Sequence, residues 1–390
     1  MRLGTFNVWG LPEAFSDDVS SRMRALASRL DGLPLDLLLI QEAWTEDVRQ
    51  TITQAALKAG FEVAAGPDSS GGLMTLSRLP IRWSRFERFR FRGDPERVVQ
   101  GEYIGGKGFQ TLEVEGPDGP FFVINTHVHA RYRRRRPQLN SAVRMAQLLQ
   151  VVGALHRLPG TALVGGDFNC TSSDTEYEVW RALTHTEELA YGASHETLSN
   201  RNFYKRARSG PDKRIDFLFI RPGHDVAFRR QDAGLLFAEA PRIRNRDRSF
   251  SDHFGFAAEV DWASTKAGME TPFAPGGVGR DLDPVAFERA HALLEVGMEE
   301  ADRRERAHFT SAGGWAFAAL LAAGFRRHPS LHRRAFLRGA TSGAALAALA
   351  PAVGFGALAR VDSDVKRDAF EDARSILVQM ETGTKGRQRA

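Results

Sequence analysis

Apolar and polar positions follow two periods along the first two thirds of the chain, and the switches between them predict most of its elements. Residues 3–9 read as a first strand, and Ser21 to Leu30 has apolar positions at helical spacing. Leu35-Asp-Leu-Leu-Leu-Ile40 is a short apolar run, a buried strand that ends at Gln41-Glu42. Thr45 is placed to cap a helix running to Ala59, which Gly60 stops. Short strands follow over Gly72 to Ser77, Gly108 to Glu115 and Phe121 to His127, with Pro117-Asp-Gly as a hairpin turn. Gln138 to Leu155 reads as a long amphipathic helix, and 161–166, 215–220 and 254–260 as further strands. Strands mixed with a few helices, without strict βαβ alternation, predict an α+β sandwich over residues 1–262.

After Trp262 the pattern changes. Ala263 to Asp283 is rich in Gly and Pro and reads as a linker, and Pro284 to Arg306 as a charged amphipathic helix. Phe309 to Phe325 and Gly339 to Ala359 are then uncharged, with Arg326, Arg327, Arg333, Arg334 and Arg338 between them. A membrane-spanning helix needs about 20 apolar residues. The second run is long enough but diluted by Ala, Gly and Pro351; the first is marginal. The pattern thus divides the chain into 1–262, 263–308 and 309–390.

Composition adds little until it is resolved by residue type. A length of 390 residues predicts two to three domains, and 42% hydrophobic with 26% charged residues predicts a globular bulk. A net charge of +5 does not choose among nucleic acid, anionic lipid and plain solubility. The basic residues are mostly Arg, however, whose planar fork suits phosphate. The single Cys170 excludes an intrachain disulfide framework and fits a reducing compartment. The chain opens as a strand, without an apolar h-region, so no secretory signal is expected.

The chemistry centres on Val164-Gly-Gly-Asp-Phe-Asn169. Residues two apart on an extended segment point the same way, so Asp167 and Asn169 face one site. The two glycines would let a bulky ligand approach. Carboxylate and amide suit a hard cation such as Mg²⁺, although the same residues also fit an Asx turn. Asn7, Glu42 and His127 each end an apolar strand, Asp216 interrupts one, and Asp252-His253 precede another. Each also has a bland reading: Asn7 a turn residue, Glu42 a helix-terminal charge, His127 a packed histidine, Asp252-His253 a surface pair. A carboxylate inside the apolar run at Asp216 is harder to set aside, because a buried charge needs a partner.

Asn7, Gln41-Glu42, Thr126-His127, Gly166-Asp-Phe-Asn169, Arg214-Ile-Asp216 and Ser251-Asp-His253 occur here in one order. On these motifs the sequence resembles the endonuclease/exonuclease/phosphatase superfamily of metal-dependent phosphodiesterases. Asn7-Val-Trp-Gly-Leu-Pro12, Arg22-Met-Arg24, Glu42-Ala-Trp44, Gly106-Lys107, Thr126-His-Val-His-Ala130 with Tyr132, and Arg144 with Gln147 extend the resemblance to the neutral sphingomyelinases. It implies a four-layer αββα sandwich over 1–262, Mg²⁺ dependence with Mn²⁺ as a substitute, and phospholipase C-type hydrolysis of sphingomyelin, or of a lyso-choline lipid, releasing phosphocholine. It also implies roles: Glu42 as principal metal ligand with Asn7 beside it, and Asp252 on the metal side. His253 would be the general base oriented by Asp216. Asp167 would position the water or an outer ion, Asn169 would donate to a phosphate oxygen, and His127 would serve the leaving oxygen. His129 is the runner-up for that role.

Three features qualify the picture. Tyr103-Ile-Gly-Gly-Lys107 reads first as a hairpin turn and second as a way to place Lys107 near phosphate. Arg131-Tyr-Arg-Arg-Arg-Arg136 is a solvated face or a contact for anionic lipid, and Arg131 departs from the acidic residue usual in sphingomyelinases. The paired apolar runs look like those of membrane-bound enzymes, so a phospholipid substrate at a membrane surface is expected, with the catalytic domain cytoplasmic and the tail helical and membrane-associated. The competing reading is an endonuclease acting on DNA by the same metal-dependent mechanism. Ala43-Trp44 argues against it, since abasic-site nucleases carry Thr-Lys there, and nucleic acid is the disfavoured partner.

Overall fold

The computed structural model describes residues 1–65, 71–91, 106–131, 137–190, 195–205, 210–223, 226–264, 274–275, 283–326 and 335–388. In chain order the strands are β1 (Arg2–Asn7), β2 (Leu37–Gln41), β3 (Glu62–Ala65), β4 (Met74–Ser77), β5 (Ile81–Arg88), β6 (Gly108–Gly116), β7 (Gly119–His127) and β8 (Ala162–Asp167). They continue with β9 (Glu187–Glu188), β10 (Asp216–Arg221), β11 (Val226–Leu236), β12 (Arg242–Ile243), β13 (Arg246–Asp247), β14 (Gly255–Ser264) and β15 (Ala274–Pro275). The helices are α1 (Val19–Leu30), α2 (Glu46–Lys58), α3 (Pro137–Arg157), α4 (Thr175–Thr184), α5 (Pro284–Arg326) and α6 (Ala335–Gln388).

Two sheets face each other, ordered β15-β11-β14-β1-β2-β4-β3 and β5-β6-β7-β8-β10-β9. The run Leu37-Leu-Leu-Ile40 has no polar alternation because it is covered on both faces. Leu38 and Ile40 pack under α1 and α2, while Leu37 and Leu39 pack into the space between the sheets. The opposite sheet turns Ile124, Val164, Phe217 and Phe219 outward onto α3 and α4. The order helices, sheet, sheet, helices is the four-layer arrangement expected. Thr45 does cap α2, its Oγ1 accepting from the Val48 N–H at 3.4 Å.

The inter-sheet space is not wholly apolar. Thr5 donates to Gln41 Oε1 (3.2 Å), Gln41 Nε2 donates to Asn125 Oδ1 (2.8 Å), and Asn125 Nδ2 donates to the Met74 carbonyl (2.9 Å). Buried polar groups with these partners tie one sheet to the other directly beneath Glu42. Several elements escape the periodicity argument, among them the short strands β3 and β9 and three larger ones. Strand β5 is an edge strand with mostly exposed or half-buried positions, β11 exposes Arg229 to Asp232 around a bulge, and α4 is short.

The tail departs from expectation. The run Phe309 to Phe325 is not a separate segment: α5 continues through it from the amphipathic stretch as one 43-residue helix. It pairs with the 54-residue α6, so the two extend for about 65 and 80 Å at helical rise. Their proximal halves close over α3: Phe287, Ala290, Leu294, Ala369, Phe370, Ala373 and Leu377 join the same core as Leu148 and Val152. Gly297 lets the two helices meet, since a Cβ there would lie 2.4 Å from the Phe370 ring. Among the described residues no helix is long and apolar enough to cross a membrane. The physical reason is the dilution of both runs by Ala and Gly. Within the stretch read as a linker, Ala274 and Pro275 add a short strand to the edge beside β11. The arginines 327, 333 and 334, and Tyr132 to Arg136, lie outside the described residues.

Candidate active site

Strand register gathers the chemistry at one end of both sheets. Parallel β1 and β2 pair Asn7 with Gln41, so Glu42 leaves the sheet beside Asn7. Parallel β7 and β8 pair His127 with Asp167, and antiparallel β10 enters the same end with Asp216 opposite Asp167. Strand β14 begins there too, just after His253. The glycines before Asp167 serve strand packing rather than ligand approach. A Cβ on Gly166 (φ 140°) would lie 1.9 Å from the Thr126 carbonyl oxygen, and one on Gly165 would meet Leu218 and Leu39. Trp9 (φ 48°), Glu42 (φ 60°) and Asn169 (φ 49°) all adopt the left-handed conformation around this site. Each costs on the order of 1 kcal/mol and persists only because its surroundings impose it.

Side chains from four strand ends interlock. Asn7 Nδ2 donates to Glu42 Oε1 and to Asp167 Oδ2, both at 3.0 Å, while Asn7 Oδ1 accepts from the Trp9 N–H. His127 Nε2 stands 3.7 Å from Glu42 Oε1 and 3.6 Å from Asp167 Oδ2. On the other flank His253 Nδ1 meets Asp216 Oδ2 at 2.9 Å. Asp167 belongs to both groups. Its Oδ1 accepts from the Asn169 N–H at 2.9 Å, and Asn169 Nδ2 donates to the Val128 carbonyl at 3.1 Å.

Burial raises the Glu42 carboxyl, Asp252 raises it further, and Lys107 and Asn7 act against them. Asp167 is raised to about 7, by burial first and then by the Asp216 charge. Burial alone would lower the His253 imidazolium, but the charge and hydrogen bond of Asp216, with Asp167 and Asp252, push it up to about 10. Carboxylates held this close repel one another, which adds to burial in raising Glu42 and Asp167, while their attraction for the imidazolium is what raises His253.

All eight candidate residues lie at this pole, though not with one job each. Ligand atoms of Glu42, His127 and Asp167 lie within 4.8 Å of one another, as do those of Asp167, Asp216 and His253. Asp252 is in neither group; it acts on Glu42 and His253 through its charge and accepts from Ser251 Oγ at 3.4 Å. Asn7, as oriented, gives both carboxylates a donor rather than an oxygen. Of the stretch read as a hairpin turn, Tyr103 to Gly105 lie outside the described residues, while Lys107 is placed. It is buried, donates to the Val128 carbonyl at 3.0 Å, and lowers both Glu42 and Asp167 through its charge. Its Gly-Gly-Lys context alone did not distinguish these readings. His129 lines a small pocket between α3 and the tail helices, with Asn140, Glu300 and Phe370. A half-buried and a buried carboxylate, both with raised pKa values, and an imidazole beside them are the donor set a divalent cation would neutralise.

Comparison with known proteins agrees with this geometry. The chain is 25% identical over 293 residues to an inositol phosphosphingolipids phospholipase C of Schizosaccharomyces pombe, covering 65% of this chain and just under two thirds (66%) of that protein. It is 28% identical over 333 residues to sphingomyelin phosphodiesterase 2 of Mus musculus, covering 80% and 76%. Sphingomyelinase C of Streptomyces griseocarneus shares the fold, with a TM-score of 0.54 at 17% identity over 66% of this chain and 98% of that one. The sequence profile of one family matches residues 4–253, from the first strand to the histidine that closes the site. The chain therefore belongs to the Endonuclease/Exonuclease/phosphatase family.

Proposed function

We propose that this protein is a divalent-metal-dependent phosphodiesterase of phospholipase C type. Its substrate is a choline-phosphate lipid, sphingomyelin or a lyso-choline phospholipid, cleaved to ceramide (or the corresponding lipid alcohol) and phosphocholine. The observation that carries this reading is the sharing of Asp167 between a cation-holding group (Glu42, His127, Asp167) and a base pair (Asp216, His253).

Asp216 holds the His253 Nδ1 proton, which leaves Nε2 to take a proton from water as its oxygen bonds phosphorus. The phosphorus–oxygen bond to the lipid alcohol then breaks, and His127 protonates the leaving oxygen. Asn169 and Lys107, which both donate to the Val128 carbonyl, would donate to the phosphoryl oxygens, where donors stabilise the growing charge. Glu42 and Asp167 would hold a divalent cation such as Mg²⁺, which would neutralise phosphoryl charge and the carboxylates that keep His253 protonated.

Headgroup recognition by aromatic faces narrows to fewer residues than the sequence offered. Trp9 already has the Arg22 guanidinium 4.9 Å from its ring, and Trp44 packs on Gly72 and stands 6.3 Å from His127. Trp44 is thus the better placed for a quaternary ammonium.

The same proposal places the protein on a membrane, with the catalytic domain cytoplasmic. No Asp or Glu stands between Glu305 and Asp362, a stretch with seven arginines. Within it Phe317, Leu320, Leu346 and Val353 are more than 60% exposed. Exposed apolar side chains in a cationic setting suit an anionic lipid surface, with the helices lying at the interface rather than crossing it.

The test incubates purified protein in parallel with sphingomyelin, a lyso-choline lipid, an inositol phosphosphingolipid and abasic DNA, each with Mg²⁺ and with chelator. Phosphocholine release that disappears on chelation and returns with Mg²⁺ or Mn²⁺ is expected. Efficient DNA incision without phosphocholine release would replace this reading by the nuclease one.

A further inference from the structure

Arg22 lies on the first turn of α1 and is completely buried. A buried guanidinium is costly unless its charge is paired, yet among the described residues no carboxylate accepts a hydrogen bond from it. Its five donors all go to neutral oxygens. Nε donates to the Asp17 carbonyl (2.8 Å), Nη1 to the Val8 (2.8 Å) and Phe250 (3.0 Å) carbonyls, and Nη2 to the Trp9 carbonyl (2.8 Å) and Ser16 Oγ (2.7 Å). The rings of Trp9 and Tyr204 lie 4.9 and 5.5 Å from it. Burial lowers its pKa to about 10, with Tyr204, Asp252 and Glu42 opposing, so it stays charged at neutral pH.

The acceptors are informative because of what they are joined to. Val8 and Trp9 directly follow Asn7, and this loop is stitched to Glu42 by Val8 N–H to the Gln41 carbonyl (3.0 Å) and Gly10 N–H to the Glu42 carbonyl (2.9 Å). Phe250 directly precedes Ser251-Asp252-His253. One nitrogen, Nη1, therefore holds both the segment that carries the cation-facing residues and the segment that carries the base. Those segments come from opposite ends of the catalytic domain, and the strand pairing of β1 with β14 begins only beyond them, at Thr5 and Phe256. We infer that Arg22 is a positioning residue for phosphodiester hydrolysis, its fork setting the spacing between the Asn7–Glu42 side and the Asp252–His253 side of the site. This rests on the metal-dependent phosphodiesterase reading. A neutral side chain cannot replace the fork, because only arginine offers five donors in one rigid plane.

The experiment compares wild type, Arg22→Lys and Arg22→Met as full-length proteins with saturating Mg²⁺. Substrates are detergent-dispersed sphingomyelin and bis(p-nitrophenyl) phosphate, and rates are expressed per folded molecule well below each variant's Tm. Arg22→Met should lose about 10²-fold in kcat, the scale of a misplacement near 1 Å, while KM stays within about twofold. Arg22→Lys, which keeps the charge and part of the bonding, should fall between the other two. If Arg22→Met does not fold, Arg22→Lys carries the comparison, with a kcat loss at constant KM expected. Variants with wild-type kcat per folded molecule, differing only in Tm or KM, would overturn the inference while leaving the enzyme reading intact. A wild type that hydrolyses neither substrate overturns the reading of the site, and the inference with it.

Discussion

The two ends of this molecule break the ordinary rule of burial in opposite senses. At the strand-end pole, Asp167, Asp216, His253, Lys107 and Arg22 are charged or titratable and buried. At the far end of the α5–α6 hairpin, Phe317, Leu320, Leu346 and Val353 are apolar and exposed. Between them the proximal hairpin obeys the rule, with Phe287, Leu294, Phe370 and Leu377 packed on α3. A protein keeps buried charge or exposed apolar surface at a cost in stability, so both ends mark places where something other than stability was selected. The ends also differ in kind. The site is built by contacts between residues from 35 to 228 apart in sequence, whereas the hairpin end is a local composition displayed on two helices.

That contrast can be broken from either side. The largest effect belongs to the base pair. His253→Ala should lower kcat by about 10²–10⁴-fold with the fold intact, and Asp216→Asn should also lower it by favouring the wrong tautomer. Turnover close to wild type in His253→Ala, measured on a soluble phosphodiester, would mean the roles are misassigned. Binding to sphingomyelin vesicles containing phosphatidylserine should be unchanged in both variants.

The reverse case is smaller. Leu320→Glu combined with Leu346→Glu should weaken vesicle binding by at least about tenfold, since each buried leucine contributes roughly 1.5–3 kcal/mol. Hydrolysis of a soluble diester should not change, because the substituted positions lie on the distal hairpin, away from the strand ends. Undiminished vesicle cosedimentation would show that the hairpin end is not the attachment surface.

The smallest effect is a slope of stability against pH in metal-free protein. Asp167 titrates near 7 in the folded state against an ordinary 3.8, so the native state binds the extra proton and loses stability as pH rises through that interval. His253, raised from 6.5 to about 10, contributes stability that is complete below 6.5 and lost as pH climbs to 10. Both slopes run downward with pH, and Asp167→Asn should flatten the first. Thermal melts between pH 4 and 10 read the sign directly; rising stability between pH 5 and 7 caused by Asp167 would contradict it.

Much of the site was legible as residues and almost none of it as geometry. Asn7, Glu42, His127, Asp167, Asp216 and His253 each stand where an apolar run ends or is interrupted, and that boundary is visible without coordinates. Their mutual arrangement follows from strand register, which links Asp167 to His127 on one side and to Asp216 on the other. Local pattern carries no information about register between distant strands. The same limit left the role of Arg22 and the choice between the two readings of Lys107 open, because both depend on carbonyls contributed from elsewhere in the chain.

The sequence by itself determined where the main strands and helices form, because hydrophobic period and capping are local: Thr45 caps α2 and β2 is apolar up to Gln41. It also determined the composition of the hairpin end, free of acidic residues and rich in Ala and Gly. Only the tertiary structure decided that the first apolar run continues a helix whose base is buried on α3, since packing of Phe287 and Phe370 joins segments far apart in sequence. It alone decided that Asp167 serves both flanks of the site, and that Gly166 is needed for the Thr126 carbonyl rather than for a ligand. The physical reason is common to these cases. Propensity and period act over a few residues, whereas desolvation, charge repulsion and close packing depend on which distant atoms arrive at the same place.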